Sequence, residues 1–141
     1  MHLLLVEDNP GDVRLVREAV KPFVEQGMLQ VSTAMDGGQA LAFLHRHAPY
    51  PEVAQPDMVM LDLNLPVKSG YEVLEELKQD PKLKYLPVVV LTSAADPQNV
   101  DRCYELGASA YLVKPLELEH SLSLIKVTVV FWSACKFRTL K

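Results

Sequence analysis

Apolar residues fall along the chain in five short runs, and each run is followed by a stretch whose apolar residues recur at helical spacing. The runs are 3–6 (LLLV), 28–34 (MLQVSTA), 57–63 (DMVMLDL), 86–94 (LPVVVLTSA) and 108–114 (ASAYLVK). The stretches between them predict helices over 9–20, 36–47, 69–80 and 96–107, with a last helical segment from about Glu117. Asn9 is placed to cap the first helix and Pro10 to fill its first position, while Val13, Val16 and Val20 share one face. Pro22 is expected to end or kink it. Ala40, Leu41, Phe43 and Leu44 supply the apolar side of the second helix, and Val73, Leu74 and Leu77 that of the third. Gly107 closes the fourth. Continuously apolar strands alternating with helices predict an α/β fold, (βα)5, with a parallel sheet covered on both faces. The 141 residues suit one domain. Only 26 residues follow Pro115, so 1–141 is read as a single unit without an output domain.

In such a sheet, chemistry gathers at the carboxyl ends of the strands. The first strand ends in Glu7-Asp8, the third in Asp62 followed by Asn64, the fourth in Thr92-Ser93 and the fifth in Lys114-Pro115. Three carboxylates, a hydroxyl and an ammonium converge from four places in the chain. Like charges so close stay ionised only with a cation among them. A hard divalent ion with oxygen ligands, Mg²⁺, meets that need and favours carboxylates together with phosphate oxygens. Lys114 suits a phosphoryl oxygen, and Asp62 can then be a nucleophile that forms an acyl phosphate. Thr92 can donate its hydroxyl to the new group. The plainer alternatives are that Glu7-Asp8 caps the first helix, that Thr92 is an ordinary strand residue and that Tyr111 only packs.

Composition narrows the partners. Net charge is −4, which argues against nucleic acid. The charge is uneven: residues 122–141 hold Lys126, Lys136, Arg138 and Lys141 and no acids, leaving 10 bases and 18 acids elsewhere. Cys103 and Cys135 lack metal or redox spacing and read as unpaired thiols of a cytoplasmic protein. His2, His45, His47 and His120 are scattered and read as surface or satisfied residues. The proline-rich connection 48–56 leads into the end of the third strand opposite Asp62 and is expected to be a surface loop.

The segments LLLVEDN, MLDLNLPVKSG, VVVLTSA and AYLVKP, in this order, resemble the response-regulator receiver domain of two-component signalling over residues 3 to about 120. The resemblance implies a flavodoxin-like sheet of order 2-1-3-4-5. It implies Asp62 as phosphoacceptor from a histidine kinase, with Mg²⁺ held by Asp8, by Glu7 through water, by Asp62 and by the backbone carbonyl of Asn64. It also implies Thr92 and Tyr111 as a switch pair, Lys114 on the phosphoryl group and a cis Lys114–Pro115 bond. No other enzymatic activity is implied. VEDNPGDVRLVREA, the 48–56 insertion, DLNLP and FW at 131–132 are similar to the single-domain regulators of bacterial phytochrome-type kinases, whereas the tail SACKFRTLK departs from them.

Two rival functions fit less well. Metal-dependent phosphohydrolases with an aspartyl nucleophile place a second, proton-transferring aspartate where this chain has Asn64. A flavin binder needs a hydroxyl- and glycine-rich phosphate loop after the first strand, where acids stand instead. In the last segment, Leu118, Leu122, Ile125, Val129 and Trp132 form one helical stripe, while Leu124, Val127 and Phe131 lie nearly opposite. Lys126 interrupts the segment, and it is too short to span a membrane. The β-branched run VTVV makes an extended conformation a competitor. If helical, 117–141 offers a second apolar face, and with helix 4 and strand 5 it is expected to form a homodimer. An unnamed downstream protein is the remaining partner expected.

Overall fold

The computed structural model describes residues 1–46 and 52–136. Five strands, β1 (His2–Val6), β2 (Gln30–Ala34), β3 (Met58–Leu61), β4 (Val88–Thr92) and β5 (Ala110–Val113), alternate with five helices, α1 (Pro10–Glu25), α2 (Gly37–Leu44), α3 (Gly70–Gln79), α4 (Pro97–Glu105) and α5 (Leu118–Ala134). The strands are parallel, in the order β2-β1-β3-β4-β5.

Side chains alternate across this sheet. Leu4, Val6, Val59, Leu61, Val88 and Val90 face α2 and α3, where Leu41, Phe43, Val73, Leu74 and Leu77 meet them. Leu3, Leu5, Met58, Met60, Val89 and Leu91 face α1 and α5, against Val16, Val20, Ile125 and Val129. Burial on both faces is why β1, β3 and β4 are apolar without alternation. Each fully buried Leu or Val contributes about 1.5–3 kcal/mol. The caps follow the sequence: the Asn9 side chain accepts from the amides of Gly11 and Asp12, Asp36 from Gln39, Ser69 from Glu72 and Asp96 from Gln98. Gly107, at φ +102°, follows the Leu106 cap of α4 as expected.

The structure decides two alternatives that the sequence leaves open and corrects one expectation. Pro22 does not end α1, which continues to Glu25. Pro22 and Glu18 are exposed, which leaves room for water at the carbonyl that the proline cannot bond, while Phe23 packs on the core in the last turn. The VTVV run is helical: Ile125 and Val129 are buried, and the Thr128 hydroxyl donates to the Leu124 carbonyl at 2.7 Å. Two stripe residues also trade roles. Leu118 is exposed, and Leu124, expected outside, is half-buried against the α1 side of the core. Val127 and Phe131 do face outward, 66% and 62% exposed.

His2 is buried, with Nε2 at 2.8 Å from the Ser32 hydroxyl. Cys103 and Cys135 are free thiols. His47, residues 48–51 of the proline-rich connection, Arg138 and Lys141 lie outside the described residues. Among the described residues, no helix is long and apolar enough to cross a membrane.

Candidate functional site

β1 and β3 are neighbours, Val6 opposite Leu61, so the residues just beyond them are delivered side by side. Glu7 and Asp62 are buried and Asp8 is exposed. One carboxylate oxygen from each of the three lies within 4.8 Å of the others. Two features hold Asp62 in place. Its amide donates to the Val6 carbonyl at 3.0 Å, and the following loop turns back so that the Gly70 amide reaches the Leu63 carbonyl, also at 3.0 Å. A Cβ on Gly70 would collide with the Asp62 carbonyl oxygen and stand 2.7 Å from Leu63 Cα, so α3 can start here only with glycine. The Asn64 amide points at Asp62 Oδ1 at 3.4 Å.

Lys114 enters from the end of β5. Its ammonium donates to Glu7 Oε2 at 2.8 Å and Asp12 Oδ2 at 3.0 Å, and lies 3.5 Å from Asp62 Oδ2. The last distance is an ion pair, too long for a strong hydrogen bond. Burial pushes the Glu7 carboxyl up to about 7; the hydrogen bond from Lys114 opposes this, the charge of Asp62 adds to it, and the charge of Lys114 and the Asn9 amide also pull down. Desolvation acts to lower Lys114, but its bonds to Glu7 and Asp12 and the charge of Asp62 win and hold the ammonium above its ordinary range. Four carboxylates against one ammonium leave an excess of negative charge. Hard oxygen donors in that number and spacing fit a small divalent cation completed by water.

Thr92, at the end of β4, is fully buried, and its hydroxyl has no hydrogen-bond partner among the described residues. Such an unmade bond costs about 1–3 kcal/mol, and a buried group left so fits a ligand oxygen that arrives later. Two residues on, the Ala94 carbonyl accepts from the Tyr111 hydroxyl at 2.6 Å, with Tyr111 half-buried. The segment after β4 is thus tied to β5 through the ring of Tyr111.

Of the residues the sequence predicts for the site, the structure brings Glu7, Asp8, Asp62 and Lys114 together, and Thr92 stands at the end of β4, the strand beside β3. The sequence reading missed Asp12. Asp12 is the third residue of α1, where an acid reads as a complement to the helix dipole. Its distance from Lys114 is set by how α1 packs, which no local pattern encodes. A cavity of about 350 Å³ opens beside the cluster between α1 and α5, with Asp12, Leu15, Lys114, Ser121 and Leu124 in its wall.

Residues 3–126 match the family model of the response regulator receiver domain. The chain belongs to the response-regulator receiver family. It is 41% identical over 130 residues to the response regulator Rcp1 of Synechocystis sp., covering 92% of this chain and 87% of that protein. It is 34% identical to the probable methanogenesis regulatory protein FilR2 of Methanothrix harundinacea, covering 92% and 82%. Among solved structures, the Mn(2+)-bound form of Rcp1 superposes with a TM-score of 0.90 at 36% identity, covering 98% of this chain and 99% of that one. The phosphorylated cyanobacterial phytochrome response regulator RcpA gives the same score and identity, with 98% of both chains covered.

Proposed function

We propose that this receiver domain accepts a phosphoryl group on Asp62 from a histidine kinase and signals through a conformational switch. The observation that carries the reading is the cluster itself: three carboxylates with oxygens within 4.8 Å of one another and the Lys114 ammonium 3.5 Å from Asp62. In the transfer, an Asp62 carboxylate oxygen forms a bond to phosphorus while the bond from phosphorus to the kinase imidazole breaks. The electron pair leaves with the imidazole nitrogen. Asp8, Asp62 and the Asn64 carbonyl are assigned as ligands of Mg²⁺, with Glu7 acting through a bound water. Bound Mg²⁺ supplies neutralisation of the phosphoryl charge. The Lys114 ammonium holds a phosphoryl oxygen, and the family likeness supports a cis Lys114–Pro115 bond. The chemistry is confined to the chain's own Asp62.

The Thr92 hydroxyl gains its partner when a phosphoryl oxygen arrives. Thr92 then moves with the segment to Ala94, and the bond from Tyr111 to Ala94 is exchanged for another position of the ring. This is a two-state equilibrium biased by the new group. The change surfaces beside β5, and we place a homodimer contact on the outward residues Val127 and Phe131 of α5. Leu124 borders that contact from its half-buried position. Exposed apolar side chains of this size support an interface, and two-fold pairing is its simplest closed form.

Likeness to Rcp1 and to the phytochrome regulator RcpA supports a phytochrome-type kinase as donor. Two free thiols and a kinase partner support a cytoplasmic site of action. The negative net charge supports a protein rather than nucleic acid downstream. Acetyl phosphate with Mg²⁺ tests the chemistry. The wild-type chain should gain one phosphoryl mass, and Asp62→Asn, or wild type with the metal chelated, should gain none. Labelling of Asp62→Asn to wild-type extent would overturn the assignment.

A further inference from the structure

Lys114 does not spend its hydrogen bonds on Asp62. It donates to Glu7 at 2.8 Å and to Asp12 at 3.0 Å, and stands off at 3.5 Å from the proposed phosphoacceptor. Glu7 is a neighbour at the end of β1, but Asp12 belongs to a different layer: it lies in the first turn of α1, a helix that packs along α5. The Asp12 side chain is 37% exposed and the Lys114 side chain 16%. Asp12 therefore holds its half of the pair in partial contact with water, while the ammonium is largely withdrawn from it.

Building on the phosphoryl-transfer reading above, we propose that Asp12 is a positioning residue that latches Lys114 in the unphosphorylated state and ties the start of α1 to the end of β5. A phosphoryl group on Asp62 brings more negative charge, closer to the sheet, than the single half-exposed Asp12 carboxylate offers. The ammonium then exchanges Asp12 for a phosphoryl oxygen and keeps Glu7. Two consequences follow from this exchange. The latch stabilises the unphosphorylated form but not the transfer itself, so it slows phosphoryl uptake. Its release also frees the first turn of α1, so phosphorylation is felt on the α1 side of the sheet as well as at Tyr111.

The test uses the intact chain at saturating Mg²⁺ with acetyl phosphate as donor. Asp12→Asn should take up phosphoryl roughly two- to fivefold faster than wild type, the span expected for a half-exposed ion pair. Asp12→Glu, which retains the charge, should stay near wild type. In parallel, hydrogen exchange of the wild-type chain is followed with and without beryllofluoride as the phosphoryl mimic. Amides in the first two turns of α1 should exchange faster in the adduct. If wild type is labelled but Asp12→Asn is labelled no faster, the latch is wrong and the phosphoryl reading stands. If Asp12→Asn is faster but the α1 amides do not respond to beryllofluoride, Asp12 acts only through its field and the latch is again overturned. If wild type itself is not labelled, the phosphoryl reading falls and takes the latch with it.

Discussion

Two residues between Asp62 and the first turn of α3 show opposite kinds of constraint. Gly70 has no space for a side chain, because the chain returns over Asp62 and Leu63 there. Gly70→Ala should destabilise the fold by about 1–3 kcal/mol, the range for overpacking, and slow labelling of Asp62 because the loop must shift. Chemical denaturation and the acetyl-phosphate assay check both effects. Val67 carries φ +69° although it is β-branched, and its side chain is 80% exposed. That backbone conformation costs of order 1–3 kcal/mol in a non-glycine residue. Asn tolerates it better, so Val67→Asn should raise the melting temperature. A lower one would show that Val67 makes a contact worth more than its strain. The two residues also differ in legibility. Gly70 in the sequence KSGYE already reads as a loop-shaping glycine, whereas nothing near Val67 signals a left-handed position. Asp62, Glu7 and Lys114 were legible because each ends an apolar run. Asp12 was not, because its partner is 102 residues away and is chosen by packing.

At the scale of elements, α4 differs from the other helices. Cys103 is its one fully buried residue, and polar contacts hold the remainder. The Tyr71 hydroxyl of α3 donates to Asn99 Oδ1 at 2.8 Å, and the Arg102 guanidinium lies 4.0 Å over the Tyr71 ring. A helix held in this way should open locally before the core does. Tyr71→Phe removes a hydrogen bond worth about 0.5–1.5 kcal/mol and leaves the ring under Arg102. Amides of α4 should then exchange several-fold faster, with those of α1 unchanged. Equal acceleration in both helices would mean that α4 is not an independent unit. Helix identity was legible from the apolar spacing throughout, but helix ends were not. The end of α1 depended on Phe23 finding the core after Pro22, and the helical state of 127–130 depended on Val129 packing and on the Thr128 hydroxyl bonding back to Leu124. Both are tertiary facts that override a local propensity.

At the scale of the molecule, alternation alone predicted a covered parallel sheet with its strand ends gathered at one edge, whereas the order 2-1-3-4-5 was implied by the family resemblance. The surface through which the signal leaves is less determined, and one change tests it. Val127→Glu or Phe131→Glu puts a charge on an exposed side of α5, so each variant should fold as wild type does. Each should also sediment as a monomer under conditions where wild type is a dimer. A wild-type chain that is monomeric with and without beryllofluoride contradicts the dimer. The central claim is that Asp62 receives the phosphoryl group, and the most direct measurement is chemical trapping. The chain is treated with acetyl phosphate and Mg²⁺, reduced with borohydride, which converts an acyl phosphate on aspartate to homoserine, and sequenced by mass spectrometry. The account predicts homoserine at position 62 alone. Homoserine at Asp8 or Asp12 with position 62 unmodified would contradict it.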